Sequence, residues 1–175
     1  MPKKRGQIIL AGVVVSALAI LIFTAFLTRG YCLTLRNDQT GALLLSRHIN
    51  DGDVFSVGYI HSVNKSPVTE IYQIRQGKLT LIAVEFETFG AGMPTEPEHG
   101  QTLIYLPGGG MRIEGFDRAM DDLRYIIGYT TNHTLALGAE QIALDALDSA
   151  GQTIRFSVIR KSFSLTRKTG NFIRD

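Results

Sequence analysis

The sequence predicts an all-β fold, an antiparallel sandwich or partly closed barrel, preceded by one N-terminal transmembrane helix. Three observations carry that expectation. Beyond residue 30, short alternating runs of apolar and polar residues recur at roughly 8–12-residue spacing with turn formers between them. No long stretch of that region carries a helical period. Residues 8–27, IILAGVVVSALAILIFTAFL, run without a charge for about 20 positions, the length that crosses a bilayer core.

Lys3, Lys4 and Arg5 precede the apolar segment and Arg29 follows it, so the positive-inside bias leaves residues 1–7 in the cytoplasm as a basic tail. A cleaved signal peptide would show an apolar region of about 7–15 residues ending in a small-residue cleavage site. Thr28-Arg29-Gly30-Tyr31 offers no such site, and Arg29 and Tyr31 make Cys32 a poor lipid-attachment cysteine. Residues 8–27 therefore read as an uncleaved signal anchor, residues 30–161 as one exported β-domain and residues 162–175 as a basic C-terminal tail. Lys3, Lys4, Arg5 and Arg29 account for four of the 18 basic residues, which leaves 14 against 16 acidic ones in the exported part. That near-neutral balance carries no basic nucleic-acid-binding face. The lone cysteine, Cys32, excludes an internal disulfide framework and leaves only an intermolecular bridge open.

Along the exported part, residues 31–36 and 42–47 read as strands around the turn Asn37-Asp38-Gln39-Thr40-Gly41. Residues 53–62 and 68–75 read as a hairpin through Asn64, Lys65, Ser66 and Pro67. Phe55, Val57, Tyr59 and His61 share one face of its first strand, and Val68, Glu70, Tyr72 and Ile74 one face of its second. Pairing Val63 with Val68 sets Tyr59 opposite Tyr72, Val57 opposite Ile74, and His61 opposite Glu70 at roughly 4.5–5.5 Å between Cβ atoms. Gln76-Gly77 then makes a two-residue turn into residues 78–87, with Ile74 opposite Leu79, Tyr72 opposite Leu81 and Glu70 opposite Ala83. Residues 89–101, FGAGMPTEPEHGQ, read as a loop, residues 102–106 as a short strand, and residues 117–123 as a helical turn. Residues 123–130, 133–137, 141–147 and 153–161 complete the strands, although AEQIALDAL at 139–147 makes an equally good short helix.

Three readings of the expected His61–Glu70 pair stay open: a self-satisfying structural pair, a pair that reads a polar ligand at a cavity mouth, and an acid–base pair. Ser62 is a poor nucleophile for His61, because adjacent strand residues point to opposite faces. His99, Glu96 and Glu98 match no metal-ligand spacing, and PTEPEHG reads as an exposed acidic loop. Gly90-Ala91-Gly92 and the triple glycine at 108–110 lack the settings of a dinucleotide fingerprint or a phosphate loop and read as turns. His48 and His133 read as surface or strand residues without a role.

His61-Ser62, Pro67-Val68, Glu70 and Tyr72, followed by Phe89-Gly90-Ala91-Gly92-Met93-Pro94, resemble the motifs of the small bacterial family called domain of unknown function 1850. The resemblance is strongest from Phe55 to Pro94 and covers most of the exported part. It implies small proteins with an N-terminal membrane segment, encoded beside tripartite transporters that use TAXI-type solute-binding proteins, and it implies no established activity. The expectation is a non-enzymatic, single-pass accessory or binding module on the outer, periplasmic side of the bacterial inner membrane. Its partner would be the permease or solute-binding protein of such a transporter. The expected recognition surface comprises His61, Ser62, Pro67, Glu70, Tyr72, Gly90, Gly92 and Pro94, with no catalytic residue, metal or cofactor assigned. Two other classes stay open: a metal-assisted or acid–base hydrolase using His61, Glu70 and a loop carboxylate, and a purely structural envelope protein.

Overall fold

The computed structural model of the chain describes residues 12–20, 30–89 and 96–160. Residues 12–20 are α-helical, and Val13, Val15 and Ile20 on that helix are more than 60% exposed. No helix among the described residues is long and apolar enough to cross a membrane. The remainder of the expected anchor at 8–27, and the tail at 162–175, lie outside the described residues.

The described residues between 30 and 160 build eleven strands: β1 (Tyr31–Asn37), β2 (Leu43–Ile49), β3 (Val54–Ile60), β4 (Pro67–Arg75), β5 (Lys78–Phe86), β6 (Thr102–Tyr105), β7 (Met111–Ala119), β8 (Leu123–Ile126), β9 (Thr134–Leu137), β10 (Glu140–Ala143) and β11 (Thr153–Arg160). They form two antiparallel sheets, one in the order β2-β1-β11-β8 and one in the order β10-β9-β3-β4-β5-β7-β6. The architecture is an open sandwich, all-β as expected and not closed into a barrel. One side is bridged where Arg47 on the edge strand β2 makes a two-pronged contact with Glu140 on the edge strand β10, at 2.6 and 2.9 Å. Both side chains are exposed, so the bridge fixes geometry more than it adds stability.

Alternation places the core. Phe55 and Val57 on β3, Val68, Tyr72 and Ile74 on β4, Leu33 and Leu35 on β1, and Ile154 and Phe156 on β11 are all at most 2% exposed. Phe55 stacks on Tyr72 at 5.2 Å between ring centroids and lies parallel to Phe156 at 6.3 Å, which joins the two sheets through aromatic faces. Each fully buried apolar side chain of this kind contributes about 1.5–3 kcal/mol relative to exposure.

The β3–β4–β5 meander forms as expected, but its register differs. Phe55 pairs with Tyr72, Val57 with Glu70 and Tyr59 with Val68, four residues along from the expected pairing, and Ile60 closes the ladder on Pro67. His61 is therefore not opposite Glu70. The cause is a longer turn: the His61 N–H donates to the Ser66 carbonyl, the Lys65 N–H donates back to His61, and Lys65 takes φ +54°. The His61 ring caps this turn, its Nδ1 3.3 Å from the amide nitrogens of both Val63 and Asn64. Pro67 is accommodated as the first residue of β4, where a strand tolerates the missing N–H. In β4–β5, Ile74 faces Leu79 and Tyr72 faces Leu81 as expected, but a bulge between Ile71 and Tyr72 moves Glu70 opposite Val84 instead of Ala83.

One further expectation is corrected, and one open reading is resolved. Residues 117–119 continue β7 instead of forming a helical turn. Alternation in β7 is hidden by Gly115, whose φ is +91° and where a Cβ would lie 2.4 Å from the Gly100 carbonyl oxygen. Residues 139–147 divide between both readings, with β10 followed by a 3-10 helix at Leu144–Ala146.

The chain enters the domain at the end that carries the 50–53 and 76–77 turns, because β1 starts at Tyr31 opposite Ile49 and Arg160. There Gly77 takes φ +74° in a two-residue turn with Gln76 at φ +53°, and a Cβ on Gly77 would lie 2.5 Å from the Tyr31 ring. Gly77→Ala is therefore expected to cost about 1–3 kcal/mol in urea unfolding, whereas Gln76→Gly should be close to neutral. Equal midpoints for wild type and Gly77→Ala would refute this account of the entry end.

Candidate functional site: a carboxylate held by three phenols

The inward alternation of β4 that buries Val68, Tyr72 and Ile74 also aims Glu70 between the sheets, where it is only partly exposed. An ionised carboxylate in that position requires donors. Three tyrosines supply them. Tyr59, two positions along β3 from the Glu70 partner Val57, donates to Oε1 at 3.4 Å. Tyr72 lies two residues along β4 and places its Oη 2.8 Å from Oε2. Tyr125 reaches across from β8 in the other sheet and donates to the same oxygen. The Tyr72 and Tyr125 hydroxyls are themselves 2.7 Å apart. Each phenol owns one proton, so with Tyr125 donating to Glu70, the Tyr72 proton serves either the carboxylate or the Tyr125 oxygen.

Burial raises the pKa of all three phenols above the ordinary tyrosine range, and the Glu70 charge adds to the effect. They therefore stay protonated and remain donors. His133, immediately before β9, completes the cluster: it is 8% exposed and packs on Tyr59 at 5.4 Å and on Tyr125 at 5.6 Å between ring centroids. Burial pushes its pKa down, against a smaller opposing pull from Glu70, so the ring is neutral at pH 7. Its Nδ1 is 3.0 Å from Thr131 Oγ1, which also accepts the Gly128 N–H. The Thr131 carbonyl in turn accepts the Ile60 N–H, so the 127–133 loop is pinned to the end of β3 beside the His61 turn.

The expected site residues divide among several places. Glu70 stands at the centre of the network, and Tyr72, 1% exposed, is one of its buried supports. Ser62 and Pro67 are exposed on the His61 turn. His61 caps that turn, and the histidine beside Glu70 is instead His133, to which the sequence pattern assigns no role. Gly90, Gly92 and Pro94 lie outside the described residues. Among the described residues no group of three or more His, Cys, Asp and Glu side chains is placed to hold a metal ion. Tyr125 and His133 were missed, although one signal was available. Tyr59, Tyr72 and Tyr125 all fall on inward positions of apolar strands, and three polar tips in one core require a shared acceptor.

Compared with known families, residues 55–144, just over half of the 175-residue chain, match the family described as Domain of unknown function (DUF1850). The chain belongs to this family. The part matching DUF1850 contains Tyr59, Glu70, Tyr72, Tyr125 and His133, so the whole network falls within it. No curated protein and no solved structure gives a significant match to the chain.

Two outcomes test the network. Glu70→Gln places amide protons against phenol donors and should cost about 1–3 kcal/mol in chemical unfolding. The depressed pKa of His133 gives a pH dependence of known sign. The unfolded chain takes up the proton first, so the contribution is complete above the ordinary value of about 6.5 and is lost as pH falls from there through the folded value. Unfolding midpoints measured between about pH 7.5 and about pH 5.5 should therefore fall less in His133→Asn than in wild type. Parallel pH profiles would remove His133 from this account.

Proposed function

We propose that the chain is a non-enzymatic binding module, tethered to the bacterial inner membrane by residues 8–27 and displayed on its periplasmic side as an accessory of a TAXI-type tripartite solute transporter. One observation carries the binding role. Among the described residues of the β-domain, the four most exposed large apolar side chains are Tyr129 at 86%, Tyr105 at 74%, Val63 at 70% and Ile126 at 66%. All four sit at the end of the sandwich remote from Tyr31, where the chain enters. Val63 lies in the His61 turn, Ile126 ends β8 and Tyr129 follows it in the 127–133 loop, and Tyr105 ends β6 opposite Met111, which pairs with Phe86. Singly exposed apolar residues are ordinary, but their gathering at one end supports reading that end as an interaction surface.

The apolar, uncharged composition of residues 8–27 and the exposed valines of the 12–20 helix support the tether. A tether at one end leaves the other free to meet a membrane partner, at the raised effective concentration that tethering supplies. The partner class is taken from what the family resemblance implies. In this reading Ser62 and Pro67 belong to the contact surface, and Glu70 with its phenols stiffens the strands beneath it.

The test is a mild-detergent affinity capture from native membranes, with wild type beside a Val63→Ser/Tyr129→Ser variant and mass spectrometry of the retained proteins. Both positions are solvent-facing, so the variant should unfold within about 0.5 kcal/mol per substitution of wild type. A permease or solute-binding subunit retained by wild type and lost from the variant is the expected result. Equal retention by both, or no transporter subunit with either, would overturn the proposal.

A further inference from the structure

The outer face of the seven-stranded sheet carries a second feature, independent of the Glu70 network and of the transporter reading. The backbone at residues 100–102 lies directly on β7 at Gly115, the position where a Cβ would meet the Gly100 carbonyl oxygen. Beside it, β5 is irregular between Leu81 and Ala83 where it pairs with β7. Together these irregularities accompany a cleft of about 410 Å³. Ile82, Ala83 and Phe116 give the cleft its apolar lining, and Arg75, Arg112 and Glu114 its charges.

The two guanidinium groups are in different states. Arg75 is engaged, with Nε donating to Gln73 Oε1 and Nη1 to Asp117 Oδ1, both at 2.7 Å. Arg112 is held more loosely: its Nε is ion-paired with the Glu85 carboxylate at 3.7 Å and, among the described residues, makes no hydrogen bond, while its side chain is 33% exposed. A guanidinium is a rigid fork of donors that matches a carboxylate.

We propose that this cleft binds a small organic carboxylate with an apolar body. The carboxylate pairs with the Arg112 guanidinium where it lines the cleft, and the apolar body lies against Ile82, Ala83 and Phe116. Glu114 in the cleft and Glu85 beside Arg112 select a single negative charge over a dianion such as phosphate, because each added charge meets their repulsion. Glu114 also gives the mouth of the cleft an acceptor for a donor group elsewhere on the ligand.

The experiment is a titration of the full-length chain followed by backbone amide NMR, with benzoate as the probe, benzyl alcohol as its uncharged counterpart and inorganic phosphate as the dianion. Benzoate should bind saturably and shift the amides of Ala83 and Phe116. Benzyl alcohol and phosphate should each bind at least about tenfold more weakly. Arg112→Gln should lose about tenfold or more in benzoate affinity, and Arg112→Lys should lose less because it keeps the charge without the fork. Spectra of each variant report folding directly, and the lysine variant carries the comparison if the glutamine variant does not fold. No saturable benzoate binding, equal binding of benzyl alcohol or phosphate, or unchanged affinity on removing the Arg112 guanidinium would each overturn the proposal.

Discussion

A carboxylate on the inward face of a sandwich strand has to be supplied with donors, and that requirement organises the interior around Glu70. The donors come from both sheets: Tyr59 and Tyr72 from the larger, Tyr125 from the smaller. Removing any one of them leaves an acceptor short inside the fold, which costs more than an equivalent bond adds, so the polar contact specifies how the sheets are superposed. Apolar stacking of Phe55, Tyr72, Phe156 and Tyr125 supplies the larger share of the cohesion, but apolar surfaces tolerate sliding. Hydrogen bonds to one oxygen atom do not.

The same network links the core to one end of the molecule. His133 packs on two of the three phenols and is joined to Thr131, whose carbonyl holds the last residue of β3. The His61 turn begins one residue later, and Ser66 in it contacts Thr88, two residues beyond β5, so three connections are braced against one another there. Val63 and Tyr129 project from this braced set. An interaction surface on loops gains affinity when the loops are already held, because less ordering remains to be done on contact. On the proposed reading, the interior polar cluster and the exposed apolar tips are parts of one design.

Faces were more legible in the sequence than registers. Period-two alternation assigned Phe55, Val57, Tyr59, His61, Val68, Glu70, Tyr72 and Ile74 to a common side, and all but His61, which falls in the turn, lie on it. A register error of four residues leaves every such assignment intact, since only odd shifts exchange faces. It does change partners, and the His61–Glu70 pair disappeared with it. The length of the β3–β4 connection was set by the His61 ring capping backbone N–H groups, a local interaction that residue composition does not reveal. The bulge at Ile71/Tyr72 and the glycine at 115 were equally hidden, and the second concealed β7 altogether. The pairing of β1 with β11 joins segments far apart in the chain, and no alternation pattern specifies a partner at that distance. His133 was overlooked because burial depends on that same long-range assembly.

The chemistry of the cluster argues for support over turnover. A general base works best with a pKa near the operating pH, and its lone pair has to be available to the proton it removes. Both Glu70 oxygens already face phenol donors, and burial drives those phenols towards holding their protons more tightly. His133 is neutral and faces a threonine hydroxyl through Nδ1, with its ring packed against Tyr59 and Tyr125 instead of against a nucleophile. The nearby hydroxyl of Ser66 is buried and occupied by Thr88. Each of these contacts is to a neighbour in the fold, so the arrangement is suited to holding a side chain in place, and on the proposed reading the surface above it is the part that meets another molecule.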